Sequence, residues 1–214
     1  MQNKIFKGAL IGTSVMYVLY QLFTFISVTI YLVQLYNMHV NGEGLMPMNW
    51  FVALTQELMC LLSQLLFIGT GIFFAVRYKK NIAAIFGGCM LSLYAFMQIV
   101  QVVLKFLYQW IPACEGWMWT LNGEVFSIVM LSLLIVTMLL IAINYKSVGL
   151  IIMSVLYGLY RVGMIILLGS LNDLMNNLTN LMISRSIILV MLILEIVFLC
   201  MWIWNENKKQ KLTE

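Results

Sequence analysis

Long apolar stretches recur along the whole chain, and they constrain its fold more than any other feature. Hydrophobic residues make up 63% of the 214 positions and charged residues only 9%, whereas a soluble domain carries about a quarter charged residues. About 20 apolar residues in an α-helix cross a hydrocarbon layer of about 30 Å. We therefore expect an all-α protein, a polytopic helical bundle embedded in the lipid bilayer. Six transmembrane helices are predicted, over residues 8–36, 50–76, 82–110, 125–145, 148–170 and 184–204.

Basic residues collect on one side of the predicted bundle and set its orientation. Nine Lys and Arg residues lie near the helix ends on that side, and the loops on the other side, 37–49, 111–124 and 171–183, contain none. Short loops rich in Lys and Arg stay in the cytoplasm, so both termini are predicted to be cytoplasmic. We expect one transmembrane domain over 1–204 and a basic cytoplasmic tail over 205–214. Small size and short loops favour the bacterial cytoplasmic membrane as the location.

The loop between the last two predicted helices carries a helical pattern of its own. In residues 171–182, leucine and methionine recur on one face and asparagine on the other, which is typical of a short amphipathic helix. We expect this helix to lie along the outer surface. It is either a lid over a cavity or an interfacial helix that closes a turn.

Four ionisable side chains fall inside the predicted helices: Glu57, Lys105, Arg161 and Glu195. Each costs about 2.5–3.5 kcal/mol at the centre of a membrane helix, so we expect them to face the interior of the bundle. At about 1.5 Å of rise per residue, Arg161 and Glu195 come to similar depths on neighbouring helices, as do Glu57 and Lys105. The sequence therefore predicts two pairs of opposite charge.

Glutamine side chains accompany these charges. Gln98, Gln101 and Lys105 share one face of the third helix, and Gln64 shares a face of the second helix with Glu57. In one interpretation these groups line a polar cavity that binds a small solute. In the other they are structural ion pairs and amide contacts that hold the helices together. The candidate binding residues are Arg161, Glu195, Glu57, Gln64, Gln98, Gln101, Lys105 and Gln21.

Two segments of the chain resemble each other. LIGTSVMYVLYQL at residues 10–22 aligns with LIIMSVLYGLYRV at residues 150–162, with seven shared residues. The alignment sets Gln21 opposite Arg161, and both segments are predicted to run from the inside to the outside. An internal duplication and a coincidence in a biased composition both explain the match.

The chain lacks the residue patterns of common catalytic and metal sites. Its one histidine, His39, lies in a loop, and neither a G-x-S-x-G elbow nor a phosphate-binding G-x-x-x-x-G-K is present. We therefore expect no enzyme, no cofactor and no metal site. The net charge of +4 lies at the predicted membrane edges, so no nucleic-acid partner is expected.

Two functions follow from these patterns, and both stay open. The first is an integral membrane protein that binds or transports a small solute of unknown identity, alone or as a subunit of a larger transporter. Six helices, this length and inward termini are similar to the architecture of substrate-binding subunits of vitamin uptake systems, which is an analogy of architecture only. The second is a non-transporting immunity, resistance or assembly factor that binds a membrane protein, a second copy of itself or a peptide.

Overall fold

The computed structural model describes residues 2–41, 50–108, 111, 116–117, 120, 123–170 and 178–211. Six long α-helices lie within these residues, and none of the described residues is in a strand. The predicted all-α helical bundle is therefore confirmed. In chain order the helices are α1 (Gln2–Asn41), α2 (Trp50–Arg77), α3 (Ile82–Tyr108), α4 (Glu124–Tyr145), α5 (Val148–Ser170) and α6 (Leu178–Lys211).

Five of these helices are long and apolar enough to cross a membrane, namely α1, α2, α3, α4 and α6. The remaining helix, α5, has 23 residues, and its apolar part within the described side chains covers Val148–Met164. At about 1.5 Å per residue, a helix of that length also reaches across a layer of about 30 Å. The chain thus has the architecture of a multi-pass membrane protein.

The first and last helices are much longer than the sequence predicts. α1 has 40 residues and α6 has 34, because a helix continues into polar residues beyond the apolar stretch that hydropathy marks. Residues 178–182 of the predicted surface helix therefore belong to the first turns of α6, and residues 171–177 lie outside the described residues. Residues 205–211, assigned to the basic tail, continue α6 as a helix.

The helices close into a ring. Each helix packs against the next one in the chain, and α6 returns to pack against α1. The closest approach joins α2 to α3, where a Cβ atom on Gly71 would lie 2.6 Å from the backbone oxygen of Gly88. Large apolar side chains fill the inside of the ring, among them Phe6, Phe74 and Trp202. Many others are exposed on its outside, as a lipid-facing surface requires.

Basic side chains meet at one end of the ring, which we call the basic end. The Arg77 guanidinium at the end of α2 lies 5.2 Å from the ring centre of Phe6 near the start of α1. Near the end of α6, the Lys209 ammonium donates a hydrogen bond to the backbone oxygen of Asn144 at 3.3 Å. The helix ends that the sequence assigns to the cytoplasmic side therefore lie together.

Candidate functional site

A cavity of about 270 Å³ lies inside the ring of helices, and we call it the central cavity. Side chains of α1, α3, α4, α5 and α6 line it. Five of the eight predicted site residues are among them: Gln21, Gln98, Gln101, Arg161 and Glu195. The remaining walls are formed by Tyr17, Tyr94, Phe126, Ser127, Met130, Leu131, Leu134, Tyr157 and Met191.

The Glu195 carboxylate is held by two tyrosines from different helices. The Tyr17 hydroxyl donates to Oε2 and the Tyr157 hydroxyl donates to Oε1, each at 2.8 Å. The Gln21 amide in turn donates to the Tyr17 hydroxyl oxygen at 2.8 Å. Glu195 is only 9% exposed, and a buried carboxylate is costly unless hydrogen bonds satisfy it. The two hydroxyls therefore both stabilise the group and set its orientation.

Arg161 does not pair with Glu195, so the predicted ion pair is wrong. Its guanidinium is directed at the sulfur atoms of Met191 and Met164, the latter at 3.9 Å. Among the described residues, no carboxylate oxygen lies within 4.0 Å of it. Thioether sulfur is a weak acceptor. The positive charge thus lines the central cavity without a direct counter-ion from the described part of the chain.

The register between α5 and α6 explains this result. Tyr157 lies level with Glu195, and Arg161, one turn further along α5, lies level with Met191, one turn before Glu195 on α6. Counted from residues 170 and 184, the sequence places Glu195 about 3 Å deeper than Arg161. The contacts of Tyr157 and Arg161 instead offset the two charged residues by a full turn, about 6 Å.

The second predicted pair, Glu57 with Lys105, is confirmed, but it lies outside the central cavity. The Lys105 ammonium is 3.4 Å from Oε1 of Glu57, and the side chains are 44% and 24% exposed. They line a separate cleft of about 430 Å³ together with Trp50 and Phe106, between the start of α2 and the end of α3. Gln64 is buried and is not among the residues that line the central cavity. The structure therefore divides the predicted site into a central group and a peripheral pair.

Tyr17 and Tyr157 are not among the site residues predicted from the sequence, although the repeated segments contain the signal. The two tyrosines occupy equivalent positions in the alignment of 10–22 with 150–162, and they bind the two oxygens of the same carboxylate. Gln21 and Arg161, also equivalent, both line the central cavity. We call Tyr17 with Gln21, and Tyr157 with Arg161, the two half-sites.

Other positions of the repeat are equivalent in structure as well. Leu10 and Leu150 are 1% and 0% exposed. Ser14 and Ser154 each donate a hydrogen bond to the backbone oxygen four residues earlier, at 2.8 Å in both helices. These two shared residues thus have the same roles in α1 and α5, which pack on either side of α6.

A second buried carboxylate, Glu206, lies at the basic end. It is fully buried, and its Oε1 lies 2.5 Å from the Arg77 guanidinium. The Tyr78 and Tyr145 hydroxyls both donate to Oε2, at 2.7 and 2.5 Å. Burial, together with this hydrogen bond to Glu206, raises the pKa of the Tyr78 hydroxyl above its ordinary value. Glu206 falls within the basic tail predicted from the sequence, although its spacing of eleven residues from Glu195 puts both on one helix face.

Apolar packing separates the two carboxylates. Between Glu195 and Trp202 lies a space of only about 50 Å³, lined almost entirely by apolar side chains such as Phe67, Ile141 and Phe198. In contrast, the central cavity extends away from the basic end to Ser127 in the first turn of α4. The cavity is therefore closed towards the basic end by the core of the bundle.

Comparison with known proteins does not assign the chain to a family: no family model, no curated protein and no solved structure matches it. Within the part of the chain that the structure describes, no three His, Cys, Asp or Glu side chains come together as a metal site would require. The fold and the site instead define a class by their physics, a multi-pass helical membrane protein with a polar cavity inside the helix ring.

Proposed function

We propose that this protein binds a small polar solute in the central cavity and takes part in its transport, alone or as a subunit of a larger transporter. In this proposal it is not an enzyme. It lies in the bacterial cytoplasmic membrane with its basic end towards the cytoplasm, in keeping with the excess of Lys and Arg there. The cavity then opens towards the outside of the cell.

The observation that carries the proposal is a pair of opposite charges that share a cavity without touching. Where charges in this bundle hold helices together, they are in direct contact, as in Arg77–Glu206 at 2.5 Å and Glu57–Lys105 at 3.4 Å. Arg161 and Glu195 instead line the same polar space one helical turn apart. Ionisable groups inside a membrane protein that face a cavity are typical of substrate sites.

The first experiment asks whether the purified full chain retains or binds a small molecule. Native mass spectrometry reports retained ligands, and thermal unfolding followed by tryptophan fluorescence reports stabilisation by added solutes. Arg161→Gln removes the charge in the cavity, and Lys105→Gln is the matched control because it removes a positive charge outside it. We expect the first variant to lose ligand retention and the second to keep it.

A ligand retained equally by both variants would place the binding site elsewhere in the molecule. Absence of any retained or stabilising small molecule in the wild-type protein contradicts solute binding. In that case the alternative function, an immunity, resistance or assembly factor, replaces solute binding. The next experiment would then look for a partner protein or peptide.

A further inference from the structure

We propose that the ligand of the central cavity is a small zwitterion of the amino-acid type, with an ammonium and a carboxylate group on neighbouring carbons. This inference rests on the proposed function and names its substrate class. The carboxylate would bind Arg161 and the ammonium would bind Glu195. Both residues line the same cavity.

The offset between the two charged residues favours a ligand of this kind. Tyr157 contacts Glu195, and Arg161, four residues later on α5, contacts Met191, four residues before Glu195 on α6. The two charged residues are therefore offset by one helical turn, about 6 Å along the axis. The two groups are not among the ion pairs within 4.0 Å, so a small molecule that carries both charges can lie between them and form a charge-assisted hydrogen bond with each.

The hydrogen-bond capacity of Glu195 is only partly used by the protein. An ionised carboxylate has about four lone-pair sites on its two oxygens, and each oxygen of Glu195 accepts one tyrosine hydroxyl. The tyrosines hold the carboxylate in a fixed orientation while each oxygen keeps capacity for a further donor. An ammonium group supplies such donors and also neutralises the charge.

The Arg161 guanidinium has complementary capacity for an anion. Its planar fork of five N–H donors matches the two oxygens of a carboxylate, and its partners among the described residues are the sulfur atoms of Met164 and Met191. A ligand carboxylate is a far stronger acceptor than a thioether. The guanidinium can therefore exchange weak contacts for a bidentate pair.

The electrostatic balance of the cavity selects a zwitterion over a singly charged molecule. An anion would neutralise Arg161 and leave the Glu195 charge uncompensated, and a cation would do the reverse. An uncompensated charge within a low-dielectric bundle is costly. A zwitterion satisfies both groups and adds no net charge, and Gln98, whose amide both donates and accepts hydrogen bonds, lines the wall where the rest of the ligand would lie.

The test uses the standard amino acids as probes, each at millimolar concentration, on the purified full chain. We expect at least one to raise the unfolding temperature by a few degrees. Two analogues of that amino acid then separate the charges: the methyl ester keeps only the ammonium, and the deaminated acid keeps only the carboxylate. Each analogue is expected to bind about tenfold or more weakly than the parent.

Variants assign each ligand charge to its residue. In Arg161→Gln, the parent amino acid and its methyl ester should bind equally weakly, whereas Arg161→Lys should restore part of the discrimination. In Glu195→Gln, which keeps an acceptor for the tyrosines, the parent and the deaminated acid should bind equally weakly. Lys105→Gln should bind all three probes as the wild type does, and unfolding without ligand checks that each variant is folded.

The outcomes separate this inference from the proposed function. A singly charged analogue that binds as tightly as its parent overturns the zwitterion and leaves solute binding in place. A retained molecule that lacks the ammonium or the carboxylate, found by native mass spectrometry, also overturns the zwitterion and leaves solute binding in place. A retained molecule with both charges supports the inference. If no amino acid stabilises the protein and no molecule is retained, both proposals fail.

Discussion

Helix α6 carries two buried carboxylates whose nearest partners are alike and whose surroundings differ. Glu195 and Glu206 each accept hydrogen bonds from two tyrosine hydroxyls. Glu206 also holds the Arg77 guanidinium at 2.5 Å, within the packed aromatic side chains of the basic end. Glu195 faces a cavity of about 270 Å³, and Arg161 stands one turn away in the same space.

Structural and functional charges inside a membrane protein can be distinguished by whether they have a direct counter-ion. Lipid offers no water to neutralise a charge, so a purely structural charge must find its counter-ion within the protein. Glu206 has Arg77 as its counter-ion, and its contacts join α2, α4 and α6 at one end. Glu195 has only neutral hydroxyl partners, although a guanidinium lies close by. Arg161 and Glu195 are not in direct contact, so a ligand can bind between them.

The largest effect is expected when the direct pair is broken. Arg77→Met removes the guanidinium that lies 2.5 Å from the buried Glu206 carboxylate. Loss of the cation from comparable buried pairs costs about 3–5 kcal/mol, so the free energy of unfolding should fall by about that amount. The double variant Arg77→Met/Glu206→Gln should recover most of it, because the buried carboxylate charge is removed as well and the amide oxygen still accepts from the tyrosines. Denaturant unfolding in detergent measures both. A single variant as stable as wild type would contradict a structural role for the Arg77–Glu206 pair.

A smaller effect is expected at the tyrosines that hold Glu195. Tyr17→Phe and Tyr157→Phe each remove one hydroxyl from the carboxylate, and each should lower stability by about 1–3 kcal/mol. Because each hydroxyl binds one oxygen of the same carboxylate, both variants should weaken ligand binding. Tyr17→Phe should cost more stability than Tyr157→Phe, because it also removes the acceptor of the Gln21 amide. Tyr160→Phe is the control, since its hydroxyl donates to the backbone oxygen of Ile187 and not to Glu195. Loss of binding in only one of the two variants would show that the half-sites differ.

The smallest effect is expected on stability at alkaline pH, through the Tyr78 hydroxyl that binds Glu206. The folded protein holds Tyr78 neutral because burial and Glu206 raise the pKa of its hydroxyl. The folded state therefore keeps this proton above the ordinary tyrosine pKa of about 10, where the unfolded chain loses it, and stability should fall as pH rises through that range.

The slope attributable to one such group is at most about 1.4 kcal/mol per pH unit. Tyr78→Phe should show a shallower decline of unfolding temperature above the ordinary tyrosine pKa than wild type, when both are measured in the same detergent. Equal slopes in the two proteins would mean that the folded protein does not hold the Tyr78 proton above the ordinary tyrosine pKa.

The sequence predicted most of the fold because apolar length is a local property. Four helices, α2 to α5, begin and end within two residues of the predicted positions. The Glu57–Lys105 pair was also predictable, since α2 and α3 join through a tight turn and depth can be counted from it. Arg161 and Glu195 are joined through a longer segment, 171–177, whose contribution to depth cannot be read from hydropathy.

The rest of the site escaped prediction for a different physical reason. Tyrosines inside an apolar stretch read as ordinary packing, so Tyr17 and Tyr157 stood out only through the weak repeat. Glu206 follows the last strongly apolar residues, where averaged hydropathy falls, and its burial depends on Arg77 and Tyr145 from distant parts of the chain. Contacts of this kind belong to tertiary structure and leave little trace in local composition.

The position of both carboxylates on α6 has a consequence for biogenesis. As the ribosome delivers the chain into the bilayer, α1 to α5 arrive with Tyr17, Arg77 and Tyr157 already placed, but their acceptors are still unsynthesised. The helix that satisfies them enters after the other five. Entry of α6 therefore supplies both carboxylates in one step, and the hydroxyls and the guanidinium that bind them acquire these acceptors together.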